Sequence, residues 1–146
     1  MVELIRKAER RDIPEMVRMA GEFVAASGTG LPFDPVYVAD SIRAHMVNSA
    51  TLSLILDVDG SARGMLCAVA ARSPLAPVMI ADELAWWIDP EHRGRHAAAM
   101  LNAYEKWAVR IGCDHLGMVA LAGSRTDVIY RRAGYAPIET RHVKGL

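Results

Sequence analysis

Apolar residues recur along the chain with two different periods, and these periods predict the order of its secondary structure. Between residues 95 and 110 they lie three or four positions apart, which predicts a helix with one buried stripe, formed by Ala97, Leu101, Tyr104, Ala108 and Ile111. Similar spacing predicts helices within residues 13–27, 36–48 and 126–133. Apolar and β-branched runs predict strands at residues 3–8, 51–58, 64–71, 78–88, 115–121 and 135–143.

The predicted order is β-α-α-β-β-β-α-β-α-β, which favours a mixed sheet covered by helices on both faces and an α/β (α+β) fold class. Asp59-Gly60 predicts a tight hairpin turn between two of the strands. The chain of 146 residues contains no repeat and no linker, so we expect a single domain over residues 1–146.

Composition narrows the functional classes. The 17 basic and 17 acidic residues cancel, so we expect no general polyanion-binding surface and no nucleic-acid partner. No apolar run is long enough to cross a membrane. Charged residues soon follow Met1, so no signal peptide is visible, and Cys67 and Cys113 form no disulfide or metal pattern. These features predict a cytoplasmic protein without a membrane partner.

The segment between the strand ending at Ile88 and the following helix has the composition of an anion site. Pro90 ends the strand, and Gly94 permits a sharp turn. The amides of residues 94–98 then lie in the first helical turn, where they lack intrahelical acceptors and carry partial positive charge. Arg93 and Arg95 add full charges, and the small side chains at 97–99 would let a phosphate approach the backbone.

This segment resembles the acyl-CoA-binding motif of the GNAT superfamily of N-acetyltransferases, in which Arg or Gln is followed by two residues, Gly, one residue, and Gly or Ala. Arg93 takes the first place and Ala98 the last, while His96 replaces the middle Gly. The similarity extends to Ile88-Asp89-Pro90 before the motif and to Ala133-Gly134-Tyr135 after it. The order of elements also fits a GNAT-like fold over nearly the whole chain.

The resemblance implies acetyl-CoA as cosubstrate. Its pantetheine arm would pair with the strand at 85–88, an amide of which would stabilise the tetrahedral oxyanion. His96 would lie beside the phosphates and partly replace the missing glycine. The cofactor-binding residues implied are Trp87, Ile88, Arg93, Gly94, Arg95, His96, Ala97 and Ala98.

Tyr130 is the candidate general acid. Tyr130 to Tyr135 resembles the family's Tyr-x-x-x-Gly-Phe/Tyr signature, whose tyrosine faces the CoA sulfur and protonates the departing thiolate. A phenol suits this role because its pKa of about 10 lies near that of a thiol. The alternative is a ring packed in the core with its hydroxyl at the surface.

Glu83 is the candidate general base, because it is a carboxylate inside an otherwise apolar strand. In many members of the family a Glu on this strand deprotonates the amine. A strict period of two places Glu83, Ala85 and Trp87 on one face. Asp82 is the rival base, and an ion pair with an arginine at the strand end is the structural alternative.

These residues predict an acetyltransferase that moves an acetyl group to a primary amine by direct attack, with a small molecule or a peptide as acceptor. No metal is expected, although His92 and His96 are four residues apart, because no third ligand is evident. The alternative is a non-catalytic CoA-binding or partner-binding module, favoured by His96 and by Gly123 at the position of the family's usual Asn. The large apolar fraction, 52%, also suggests a homodimer.

Overall fold

The computed structural model describes all 146 residues as one sheet with four helices packed on it. None of these helices combines the length and the apolar character that a membrane span requires. Short 3-10 turns at Arg10–Asp12 and Pro90–His92 precede two of the helices. In chain order, the elements are β1 (Glu3–Lys7), α1 (Ile13–Ser27), α2 (Pro35–Met46), β2 (Thr51–Val58), β3 (Ser61–Arg72), β4 (Met79–Ile88), α3 (Arg95–Arg110), β5 (His115–Gly117) and α4 (Thr126–Arg132).

The five strands lie side by side in the order in which they occur along the chain. Pairing is antiparallel from β1 to β4, and only β4 and β5 are parallel. The hairpin between β2 and β3 turns at Asp59 and Gly60, which both have positive φ, as its sequence predicts. The mixed sheet and the α/β (α+β) class are therefore confirmed.

Helices cover both faces of the sheet, as predicted. On one face, Met16 and Met19 of α1 pack against Ile55, Ala62 and Met65 in a small cluster. The other face carries the larger cluster, to which α3 contributes its buried stripe and α4 contributes Tyr130. Each face thereby removes one set of alternating strand residues from water, which is the main stabilisation of such a layered fold.

Strand β4 contains a bulge that changes which residues share a face. Cys67 of β3 pairs with Ala85, but its neighbour Ala68 pairs with Glu83, so Leu84 has no partner. An extra residue reverses the alternation beyond it. Glu83 therefore lies on the face of α3 with its partner Ala68, whereas Ala85 and Trp87 pack against the α1 cluster. The prediction that these three β4 residues share a face is wrong.

Strands β4 and β5 separate after three residue pairs, and the last of these pairs is Asp82 with Gly117. The prediction that this strand continues to residue 121 is wrong. The carbonyl of Gly117 accepts a hydrogen bond from the Tyr104 hydroxyl at 3.0 Å, and that of Val119 accepts one from the Tyr130 hydroxyl at 2.9 Å. Side chains thus satisfy backbone carbonyls at the last residue of β5 and just beyond it, and the sheet opens from Glu83 onward.

The predicted last strand, at residues 135–143, is absent. This segment has no regular structure, and Ile138 and Val143 are 89% and 62% exposed. Pro137 cannot donate a ladder hydrogen bond, and the neighbouring β5 offers an edge of only three residues. A strand there would gain few hydrogen bonds and bury little apolar surface.

Candidate active site

The turn between β4 and α3 presents three free backbone donors. Gly94 adopts φ 106° and ψ −111°, a conformation that favours glycine, and it directly precedes α3. The N–H groups of Gly94, Arg95 and His96 donate to no acceptor in the structure. A Cβ at Gly94 would meet nothing within 4 Å, so the space beside the turn is open. The turn can therefore receive an anion at the positive end of a sixteen-residue helix.

The Arg93 side chain stands beside this turn. Its Nε donates to the carbonyl of Ile88 at 2.7 Å, and its guanidinium carbon lies 4.7 Å from the centre of the Trp87 ring. Its two terminal nitrogens make no hydrogen bond within the protein and remain available as donors. This arrangement holds a positive charge in place without neutralising it.

Arg95 and His96 direct their side chains toward β1 instead. Arg95 contacts both carboxylate oxygens of Glu3 at 2.8 Å, and Nε2 of the buried His96 lies 3.3 Å from the same carboxylate. Hydrogen bonds from Arg95 are the main cause of the lowered pKa of Glu3. The two residues therefore offer an anion their backbone amides, while their side chains fix the start of α3 to β1.

The next two motif residues have different surroundings. Ala97 is buried in the larger cluster, whereas Ala98 is exposed beside the turn. Ala97 therefore serves the packing of α3 on the sheet. Ala98 keeps the outer side of the first turn free of bulky groups.

The edge of β4 leading away from the turn is uncovered. Residues 83 to 88 have no partner on the side of β5, because the pairing ends at Asp82. Backbone groups at such an edge can pair with an extended ligand. The edge runs from the bulge at Leu84 to the turn at Gly94, and it includes Trp87 and Ile88.

Glu83 lies at the opened part of β4 and is 7% exposed. Its carboxylate takes part in none of the hydrogen bonds or ion pairs of the structure. Burial raises the pKa of Glu83 from 4.5 to about 7. The ion pair considered as its structural alternative is not formed, and the carboxyl group can exchange a proton near neutral pH.

Tyr130 approaches the same region from α4. Its ring is buried and stacks on Trp86 with centroids 6.0 Å apart, and its hydroxyl donates to the carbonyl of Val119. Burial, and then the negative charge of Glu83, raise the pKa of Tyr130 above its ordinary value. The hydroxyl therefore stays protonated over the range in which Glu83 titrates.

Trp86 lies in the same region, and the sequence predicts that one ring of the pair Trp86-Trp87 enters the core. Its indole N–H is buried and has no hydrogen-bond partner, which is uncommon for a buried donor. Its ring packs against the larger cluster, between the opened strand and Tyr130. The double tryptophan indicates one ring in the core, but no sequence signal indicates which ring would have an unsatisfied donor.

Two neighbouring groups, the carboxylate of Asp82 and the thiol of Cys67, are less suited to catalysis. Asp82 is exposed, and its carboxylate lies against the backbone of Gly117, where a Cβ on that glycine would collide with Oδ1 of Asp82. Burial raises the pKa of the Cys67 thiol to about 11, so that thiol is not an ionised nucleophile. Cys113 is also a free cysteine.

A family model described as the acetyltransferase (GNAT) family matches residues 22–135. The chain therefore belongs to the GNAT family of acetyltransferases. No curated protein matches the chain.

Solved structures share the fold at low sequence identity. A predicted acetyltransferase from Clostridium acetobutylicum, solved with acetyl-CoA, has a TM-score of 0.82 and 15% identity, over 99% of this chain and 96% of that one. Ribosomal-protein-alanine N-acetyltransferase from Brucella melitensis biovar Abortus 2308 has a TM-score of 0.79 and 16% identity, over 100% of both chains. Aminoglycoside 6'-N-acetyltransferase from Acinetobacter baumannii has a TM-score of 0.78 and 15% identity, over 99% and 98%.

Proposed function

We propose that this protein transfers an acetyl group from acetyl-CoA to a primary amine by direct attack. The observation that carries the proposal is the continuity of the site. One uncovered edge of β4 joins an anion-binding turn at Gly94 to a buried carboxyl group at Glu83, with the Tyr130 hydroxyl nearby. Family membership supports the same reaction.

In this proposal the cofactor is held mainly by backbone groups. The pyrophosphate would accept hydrogen bonds from the amides of residues 94–96 and from the terminal nitrogens of Arg93. The pantetheine arm would pair with β4 between Ala85 and Ile88. The thioester would then lie near the bulge, where an amide of the opened strand can stabilise the tetrahedral oxyanion.

Proton transfer follows from the two side chains. Above about pH 7 Glu83 is ionised, and it accepts a proton from the ammonium form of the acceptor, directly or through water. The amine nitrogen forms a bond to the carbonyl carbon and releases its second proton to solvent, and the C–S bond breaks. Glu83 then returns the first proton to solvent, so one proton is released per turnover. Tyr130 gives its proton to the thiolate and regains one from solvent. No acyl-enzyme is needed, because burial raises the pKa of both cysteine thiols, Cys67 and Cys113, and neither is activated as a nucleophile.

For the acceptor, only a broad chemical class is proposed. The similar structures include enzymes named for a ribosomal-protein alanine and for an aminoglycoside. We propose a small-molecule or peptide amine for this chain. A homodimer remains part of the proposal, and the particle mass from light scattering at micromolar concentration tests it, since a monomer mass would remove it.

One observation favours the non-catalytic alternative. The Tyr130 hydroxyl is already bonded to Val119, so it must leave this carbonyl to protonate a thiolate. A CoA-binding module without turnover would keep that bond. His96 and Gly123, at positions where the family usually has Gly and Asn, are consistent with such a module.

A turnover assay with a panel of amines separates the two functions. Release of CoA thiol from acetyl-CoA is measured with polyamines, an aminoglycoside, peptides with free N-termini and a lysine-containing peptide. The proposal predicts amine-dependent thiol release with at least one acceptor, and loss of that release in the Glu83→Gln variant. Tight acetyl-CoA binding with no amine-dependent release across the panel would support the module instead.

A further inference from the structure

Asp89, at the end of β4, is held from several directions. It is only 4% exposed, and its N–H donates to the carbonyl of Arg63 at 2.8 Å. Its carboxylate accepts two hydrogen bonds from the Arg18 guanidinium, at 3.1 and 2.8 Å, and one from the Trp87 indole N–H at 3.0 Å. This buried carboxylate therefore depends on a cation supplied by α1, far away in the sequence.

The contacts continue to the anion-binding turn. Trp87, fixed by its bond to Asp89, places its ring 4.7 Å from the Arg93 guanidinium. Arg93 is also tied to the carbonyl of Ile88, which directly precedes Asp89. One set of contacts thus connects Arg18 with the only arginine at the turn whose terminal nitrogens have no protein acceptor.

Arg18 is itself oriented by neighbours on its own helix. It contacts Glu15 at 2.6 Å and Glu22 at 3.0 Å, one turn before and one turn after it on α1. These carboxylates restrict the guanidinium to the geometry that meets Asp89 in a two-bond fork. If Arg18 were lost, the buried Asp89 carboxylate would lose its only hydrogen-bonded cation and keep only the more distant charge of Arg63, and the strand end would have to rearrange.

We propose that Arg18 is a positioning residue for acetyl-CoA binding, which acts through Asp89 and Trp87 to fix Arg93 beside the turn. This inference rests on the proposed function, because it takes the anion at the turn to be the CoA pyrophosphate. All three guanidinium nitrogens of Arg18 already donate to carboxylates of this chain, so we assign Arg18 no direct bond to the cofactor. If Arg18 acts only through Arg93, its contribution to affinity cannot exceed the contribution of Arg93.

A double-mutant cycle tests the inference. The affinity for acetyl-CoA is measured by calorimetry for wild type, Arg18→Met, Arg93→Ala and the double variant. Arg18→Met should weaken binding about tenfold in the wild-type background, roughly the loss of one charge-assisted hydrogen bond. In the Arg93→Ala background it should change affinity by less than about twofold, because the residue it positions is absent.

Two further variants define the effect. Arg18→Lys keeps the charge but not the two-bond fork, so it should recover only part of the affinity. Arg43→Met is the matched control. Arg43 also pairs with an aspartate, Asp40, but it is half exposed and contacts no residue of the turn. The Arg43→Met variant should bind acetyl-CoA with the affinity of wild type. If Arg18→Met does not fold, Asp89→Asn enters the same cycle with the same expected non-additivity.

The outcomes separate this inference from the proposed function. Absence of acetyl-CoA binding in wild type would overturn both. Wild-type binding with an unchanged Arg18→Met affinity would overturn only the positioning role. Equal weakening by Arg18→Met in both backgrounds would also overturn it, because it would indicate a general structural effect rather than action through Arg93.

Discussion

Two buried side chains at the opened edge of β4 respond to burial in ways that fit opposite roles. Loss of water disfavours the charged form of each group, so the pKa values of Glu83 and Tyr130 both rise. For Glu83 this brings proton exchange close to neutral pH, whereas Tyr130 remains a protonated donor. Both residues could be proposed from the sequence, Glu83 as a carboxylate within a largely apolar strand and Tyr130 from its resemblance to the family's tyrosine signature.

Replacing Glu83 by Gln tests the base. Wild-type kcat/KM should rise with pH through about 7, as Glu83 loses its proton. In Glu83→Gln this limb should be replaced by one that follows the free amine, so the loss of rate should shrink as pH approaches the amine's own pKa of about 10. A loss that stayed constant from pH 6 to pH 10 would mark Glu83 as a structural residue.

The Tyr130→Phe variant tests the acid, because it keeps the ring stacked on Trp86 and removes only the hydroxyl. The rate of acetyl transfer should fall by roughly 10²–10⁴-fold, as expected for a positioned proton donor. Affinity for acetyl-CoA should hardly change, which calorimetry can show on the same preparation. Near wild-type turnover would mean that water or another group protonates the thiolate.

What the sequence did not reveal at this scale depends on contacts between distant residues. The pairing of Arg95 and His96 with Glu3 joins positions more than 90 residues apart along the chain. The unsatisfied indole of Trp86 depends on the packing around it. Neither feature follows from local spacing, and the three-dimensional arrangement decides both.

At the scale of elements, local signals were sufficient for the helices and weaker for the strands at the edge. The α3 limits agree with the prediction because Gly94 and Gly112, both at positive φ, flank a clear apolar stripe. The bulge at Leu84 and the early end of β5 have no comparable signal. They arise from register and from tyrosine hydroxyls that satisfy backbone carbonyls, and together they open the sheet at the candidate site.

Helix α2 offers a test of local capping. Asp34 accepts hydrogen bonds from the backbone N–H groups of Val36 and Tyr37 at 2.9 and 3.1 Å. Asp34→Ala should lower the free energy of unfolding by about 1 kcal/mol, the usual cost of losing such a cap. Denaturant titration measures the loss, with Asp40→Ala as control because Asp40 is exposed and makes one surface ion pair. Equal stability of Asp34→Ala and wild type would contradict the capping role.

At the scale of the whole molecule, the chain places a buried ionisable group where the sheet is open, and this has a cost in stability. The folded-state pKa of Glu83 is raised from 4.5 to about 7, so the folded protein binds this proton more tightly than the unfolded chain does. Its contribution is therefore fully present below about pH 4.5 and is lost as pH rises through 7. The fold tolerates this because the two apolar clusters supply most of its stability.

The Glu83→Gln variant should reveal that cost. Between pH 5 and pH 8.5 the wild type should lose on the order of 1–3 kcal/mol more of its free energy of unfolding than the variant, in which residue 83 carries no titrating group. Thermal or denaturant unfolding at both pH values measures the difference. Asp82→Asn is the matched control, because Asp82 is the exposed neighbour, and it should lose stability with pH as the wild type does. Identical pH dependence of Glu83→Gln and wild type would contradict a raised pKa.

The most direct test of acetyl-CoA binding at the Gly94 turn is a calorimetric titration of wild type and Arg93→Ala with acetyl-CoA and with pantetheine that lacks its phosphates. Because the free amides and Arg93 meet the pyrophosphate, wild type should bind acetyl-CoA far more tightly than pantetheine. Arg93→Ala should weaken only the acetyl-CoA affinity, by about 1–3 kcal/mol. Equal affinity of wild type for the two ligands, or an Arg93→Ala variant that binds acetyl-CoA as wild type does, would contradict this assignment of the site.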